Sequence, residues 1–210
     1  MNTPSGNESI CSNVGARLVR ARAWSILRQG YGRQASHAPT GEPKTADYTP
    51  SGLLVIGYGN TLRQDDSAGP RVAEQVAALD LPGVDTLVCP QLSPEHAEVV
   101  AQAAAVVFVD ASADARQGGR LRLVLPDESP QLMTHAADPG KMLALARDVY
   151  GHAPRAWVLP VPAQNFGFGE EVSAVTRLGI AAAVRAVGRL ALREQGITRI
   201  MAGVGSASTG

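Results

Sequence analysis

Leu53-Leu54-Val55-Ile56-Gly57-Tyr58-Gly59-Asn60-Thr61-Leu62-Arg63-Gln64-Asp65-Asp66 is an apolar run followed by two glycines and then two adjacent carboxylates. Four consecutive apolar residues, 53 to 56, suit a strand buried on both faces, and the glycines allow a tight exit from it. Pro70 followed by Arg71-Val72-Ala73-Glu74 reads as a helix opening, which predicts a helix over about Pro70 to Leu79. The two acids then occupy the loop after the carboxyl end of a strand, where open α/β sheets place ligands and chemistry.

The same alternation continues outward. Gly83 to Cys89 reads as a second strand, and Pro94 to Ala104 has helical composition with Ser93 as N-cap. Ala105-Val106-Val107-Phe108-Val109-Asp110 is a third buried strand that again ends on an acid. Arg120 to Leu125 alternates polar and apolar residues, as a strand with one wet face near a sheet edge does. A polar loop with Thr134-His135 precedes a helix from about Pro139 to Tyr150, ended by Gly151. Ala156 to Val161 is the last strand, and Ser173 caps a helix to about Glu194, with Leu178, Ala182, Val187 and Leu190 as its core stripe and Arg177, Arg185, Arg189 and Arg193 on a solvated face. Strands and helices alternating at these lengths imply an α/β fold: a mainly parallel, doubly wound sheet with helices on both faces.

At 210 residues and 45% hydrophobic composition, one catalytic domain plus an appendage is expected. Residues 1–50, rich in Ser, Gly, Arg, Asn and Pro, are expected to be a disordered N-terminal extension or an over-long translation start, residues 51–195 the domain, and residues 196–210 a flexible tail. The alternative for Val14 to Leu27 is a basic amphipathic targeting helix. The first 50 residues carry six Lys/Arg against three acids and the rest 13 against 16, so nucleic acid is not the expected partner of the domain. Two cysteines, Cys11 and Cys89, define no disulfide framework, and apolar runs fall short of a bilayer span; a cytoplasmic protein without membrane insertion is expected, as a monomer.

Asp65, Asp66 and Asp110 follow strand ends, and His135 sits just before a helix. A doubly wound sheet can bring such segments to one edge, as oxygen and nitrogen ligands for a divalent metal or as acid/base groups for hydrolysis. Spacing alone equally permits each acid to cap a helix or satisfy loop amides. Gly57 and Gly59 begin a dinucleotide-binding pattern, but Leu62 replaces its third glycine and the acids would repel a pyrophosphate. Gln164 to Glu171, with Phe166 and Phe168, reads either as a protein-docking lip or as two aromatics folded onto the sheet edge.

The segment Gly57 to Gly69 resembles the N-terminal signature of the nickel-iron hydrogenase maturation endopeptidases. Val107-Phe108-Val109-Asp110-Ala111 resembles their second acidic strand end, and Thr134-His135 lies where they carry a histidine. The resemblance extends over about Leu53 to Leu192. It implies a phosphorylase/hydrolase-like three-layer α/β/α sandwich that removes the C-terminal peptide from the precursor of a hydrogenase large subunit after nickel is installed. Carried over, the nickel-recognising residues are Asp66, Asp110 and His135, with Asp65 orienting a ligand or water and Asn60 shaping the site. The nickel would arrive with the substrate; two carboxylates and an imidazole, without thiolates, can engage the metal without retaining it. Both aspartic-type and metal-dependent cleavage fit this set.

Two departures stand out. Ser67 replaces the glycine usual after the paired acids, acceptable where its φ is negative. No proline precedes His135, which leaves Asp138 or His96 as alternative third ligands; His37 and His152 read as ordinary loop positions. Two other functions fit the same residues: a non-catalytic, nickel-dependent binding or chaperone module, and a hydrolase of small substrates.

Overall fold

The computed structural model describes residues 52–115, 120–128 and 138–205. The expected N-terminal extension and His135 lie outside the described residues. Five strands form one sheet: β1 (Leu53–Tyr58), β2 (Val84–Cys89), β3 (Ala105–Ser112), β4 (Arg122–Val124) and β5 (Arg155–Pro162), in the order β2-β1-β3-β5-β4. The first three and β5 run parallel, and β4 adds an antiparallel edge on β5. The helices are α1 (Ala68–Ala78), α2 (Ala97–Ala101), α3 (Pro139–Tyr150) and α4 (Ala174–Gly205).

Alternate residues of each central strand face opposite layers, as the pleat requires. Leu53, Val55, Val107, Val109, Leu159 and Val161 pack with Val72 and Val76 of α1 and with Ile180, Ala183, Val187 and Leu190 of α4. Leu54, Ile56, Tyr58, Val106 and Phe108 pack with Val100 of α2 and with Met142, Leu143 and Ala146 of α3. The fold is thus the three-layer α/β/α arrangement expected, with both faces of β1 and β3 buried, which is why these strands read as unbroken apolar runs rather than alternating ones.

Several local expectations change. The segment after β2 is not one helix: Pro94–His96 forms a 3-10 turn that leads into the five-residue α2. The core stripe of α4 is Ile180, Ala183, Val187 and Leu190, whereas Leu178 is 74% exposed. A 3.6-residue period that includes 183, 187 and 190 passes through 180, so position 178 falls on the opposite side. The helix also runs on to Gly205, past the Glu194 expected as its end and into the expected flexible tail. On the edge strand Leu123 is exposed and Val124 packs against the α2/α3 core, while Leu121 just before the strand packs against the α1/α4 core and Arg122 is exposed, so neither face is wholly wet.

Helix α1 sits unusually close to the strand ends. A Cβ at Gly69 would overlap the carbonyl oxygens of both Tyr58 and Val109, and one at Gly57 would overlap the Gly69 carbonyl. The obstructing atoms are backbone and cannot rotate away. Gly69→Ala is therefore expected to destabilise by about 3 kcal/mol, in the upper range for overpacking. Gly188→Ala, where a Cβ meets nothing within 4 Å inside α4, is expected to stabilise by about 0.8 kcal/mol through helix propensity. Urea midpoints of the two variants check both signs.

Candidate active site

The strand order reverses direction between β1 and β3, the switch point beside which doubly wound sheets bind ligands in a crevice at the carboxyl ends of the strands. The chain leaves β1 through Gly59, whose φ of +140° only glycine adopts readily and where a Cβ would overlap the Asp66 carbonyl. Asn60 then closes an Asx turn, its Oδ1 accepting from the Leu62 amide at 2.9 Å. The Arg63 amide donates to the Asn60 carbonyl at 3.1 Å, and the Asp66 amide to the Arg63 carbonyl at 2.9 Å. These bonds carry the chain into a 3-10 turn, Gln64–Ser67, that feeds α1. Ser67 has φ −71°, so the residue usual as glycine in the resembled family is accommodated without strain.

The two adjacent acids of that turn do different things. Asp65 is fully buried, and its carboxylate accepts from the amides of Gln164 at 2.8 Å, Asn165 at 2.9 Å and Ser173 at 2.6 Å. Burial opposes its charge, but the amides of Gln164, Ser173 and Asn165 prevail and lower its pKa to about 2. Asp65, expected to orient a ligand or water, ties the 3-10 turn to the loop between β5 and α4 as a clamp. Three amides occupy most of the carboxylate's acceptor sites, and the Ser173 side chain lies beside it.

Asp66 lies on the other side of the turn. It is partly exposed, and its Oδ2 accepts from the Asn60 amide at 3.0 Å. Asp110 ends the buried part of β3 and accepts from the Ala111 amide at 2.7 Å. Burial raises the Asp110 pKa, the Ala111 amide opposes this, the nearby charge of Asp66 raises it again, and Tyr58 lowers it, leaving a value of about 6. Asp66 follows β1 and Asp110 ends the buried part of β3, so both carboxylates lie at the carboxyl edge of the sheet, near enough for the charge of Asp66 to act on Asp110. One is accessible, and the other has a pKa close to neutrality, the condition in which a carboxyl group can accept or release a proton at working pH.

The alternative ligands are partly occupied. His96 is half-buried, and its Nδ1 accepts from the Ser93 amide at 3.0 Å, closing the turn before α2. Asp138 caps α3, with its Oδ1 accepting from the Gly140 amide at 2.8 Å. Its charge nevertheless reaches Tyr58, which sets the start of α3 at the same end of the sheet as Asp110. Among the described residues, no three His, Cys, Asp or Glu side chains are disposed to hold a metal ion. The docking-lip expectation divides by residue: Phe168 is 88% exposed, while Phe166 is partly buried.

Two features of the site were not apparent in the sequence. Tyr58 lies at the end of β1 and approaches Asp110. The β5–α4 loop is bound to the acid-bearing turn by the Asp65 clamp, by Arg63, whose Nη2 donates to the Phe166 carbonyl at 2.9 Å, and by Arg71, whose Nη2 donates to the Glu170 carbonyl at 2.7 Å. Nothing in a separation of about 100 residues announces such bonds.

The fold and this crevice define a doubly wound α/β domain with a pair of carboxylates at its switch point. Its architecture is that of the nickel-iron hydrogenase maturation proteases. The [NiFe] hydrogenase maturation protease HybD from Thermococcus kodakarensis superposes with a TM-score of 0.51 at 21% identity, over 67% of this chain and 99% of that one. The hydrogenase maturating endopeptidase HybD from E. coli gives a TM-score of 0.52 at 24% identity, over 69% and 94% of the two chains. The solution structure of an endopeptidase from Escherichia coli gives 0.50 at 25% identity, over 69% and 94%. No protein-family model matches the sequence. No curated protein matches it.

Proposed function

We propose that this protein is an endopeptidase that removes the C-terminal peptide from a nickel-loaded hydrogenase large-subunit precursor. The observation that supports the reading is the position of Asp66 and Asp110 after the carboxyl ends of β1 and β3, on either side of the switch point, within the fold of proteins named as hydrogenase maturation proteases. In this reading Asp66 and Asp110, joined by His135 from the resemblance, engage the nickel carried by the precursor. A scissile carbonyl held beside that metal is polarised, and a carboxylate accepts a proton from the attacking water, so neither a serine nor a cysteine nucleophile is required. No helix among the described residues is long and apolar enough to cross a membrane.

The test is the intact mass of a purified precursor incubated with the protein, with and without nickel installed. Loss of a short C-terminal peptide only from the nickel-loaded sample is expected. Complex formation with an unchanged mass would replace this reading with a binding module, and turnover of a small amide without any protein partner would replace it with a small-substrate hydrolase. For the free enzyme, kcat/KM is expected to fall about tenfold per pH unit below about 6, as Asp110 takes up a proton and loses its affinity for the metal. A profile flat down to pH 5 would remove Asp110 from the reaction.

A further inference from the structure

Tyr58 is a phenol in an otherwise apolar layer. It is 6% exposed and packs within the α2/α3 core. The strand register pairs it with Cys89 on one side; on the other, Gly57 pairs with Val109, so the next residue of each strand sets Tyr58 beside Asp110. Both side chains share the pleat face that also carries Ile56 and Phe108. A buried phenol requires a partner for its hydroxyl, and the polar side chain that the register sets beside it on this face is the Asp110 carboxyl.

We propose that Tyr58 is a positioning residue: its hydroxyl and the Ala111 amide together fix the Asp110 carboxyl beside the switch point between β1 and β3. With Ala111 alone, the carboxyl has one local bond, to the residue that follows it, and can still turn about its side-chain torsions. A second donor from the neighbouring strand removes that freedom and still leaves the carboxyl lone pairs to offer. Holding a reacting group in one orientation matters more for the chemical step than for substrate capture, because a modest misplacement is felt mainly in the transition state. The functional consequence rests on the peptidase reading above; the contact itself does not.

Tyr58→Phe removes the hydroxyl and keeps the ring, so the α2/α3 core retains its packing. Two readouts test the inference. In precursor processing, kcat is expected to fall about tenfold with KM unchanged, a split that a purely structural role would not produce. In the protein alone, labelled with ¹³C at its aspartate carboxyls, the Asp110 resonance is expected to shift in Tyr58→Phe while that of Asp65 stays in place. An unmoved Asp110 resonance overturns the inference whatever the substrate is, and so does wild-type kcat in a variant whose parent processes the precursor. Failure of the parent protein to shorten the precursor, with the Asp110 resonance shifted, overturns the peptidase reading and sustains the contact.

Discussion

Asp65→Ala is expected to lower the stability of the domain by about 3 kcal/mol, because it leaves the amide donors of Gln164, Asn165 and Ser173, in part-buried bonds, without their acceptor. That is the upper end of what most single substitutions cost, and this one reaches it by removing an anion rather than hydrocarbon. Asp65→Asn keeps one carbonyl oxygen and is expected to cost about 2 kcal/mol, since charge-assisted bonds become neutral ones. The sign of the pH dependence follows from the lowered pKa. The unfolded chain takes up the Asp65 proton near pH 4 and the folded one only near pH 2. About 2–3 kcal/mol of stability, present in full above pH 4, is thus lost as pH falls from about 4 to about 2. Urea unfolding of wild type and Asp65→Ala from pH 7 to pH 2 measures this, and equal acid sensitivity in the two proteins would show that the clamp is not what the acid limb reports.

Asp110→Asn is expected to act in the opposite sense. Its raised pKa means that the folded protein disfavours the carboxylate, so the ionised group costs stability above pH 6, and the cost disappears as pH falls from about 6 to about 4. The near-isosteric amide removes that charge while its oxygen can still accept from Ala111, so stability at pH 8 is expected to rise, by about 1 kcal/mol once partial exposure is allowed for. Processing of the nickel-loaded precursor is expected to fall by about a thousandfold or more, because a neutral amide is a poor ligand and no base. Gain of stability together with loss of turnover is the mark of a group retained for chemistry rather than for folding. A variant that is both less stable and fully active would show the reverse assignment. Asp66→Ala, on the exposed side of the turn, is expected to abolish processing with little change in unfolding midpoint.

The contrast between Asp65 and Asp110 shows where the chain's local pattern stops being informative. Both are acids that follow apolar strands, and both fit a metal ligand or a structural acceptor equally well when only neighbours are considered. Their assignment depends on what meets them from distant segments: three amides from residues 164–173 at Asp65, and Tyr58 and Asp66 at Asp110. The exposure of Leu178 is a similar case. Its spacing from Ala182 suits a helix stripe, but the azimuth of the stripe is fixed by how α4 lies on β1, β3 and β5.

What the sequence by itself determined is the part governed by short-range rules. The unbroken apolar runs at 53–56 and 105–109 define strands buried on both faces, the glycines at 57 and 59 define the exit, and the alternation of strands with helices defines a doubly wound sheet with acids at its carboxyl edge. Only the tertiary structure separated the amide-bound Asp65 from Asp66 and Asp110, set Tyr58 beside Asp110, and bound the β5–α4 loop to the turn that carries the paired acids. The physical reason is that a carboxylate's protonation and availability are set by burial and by the donors and charges around it, and in this fold those come from residues up to 108 positions away in the chain.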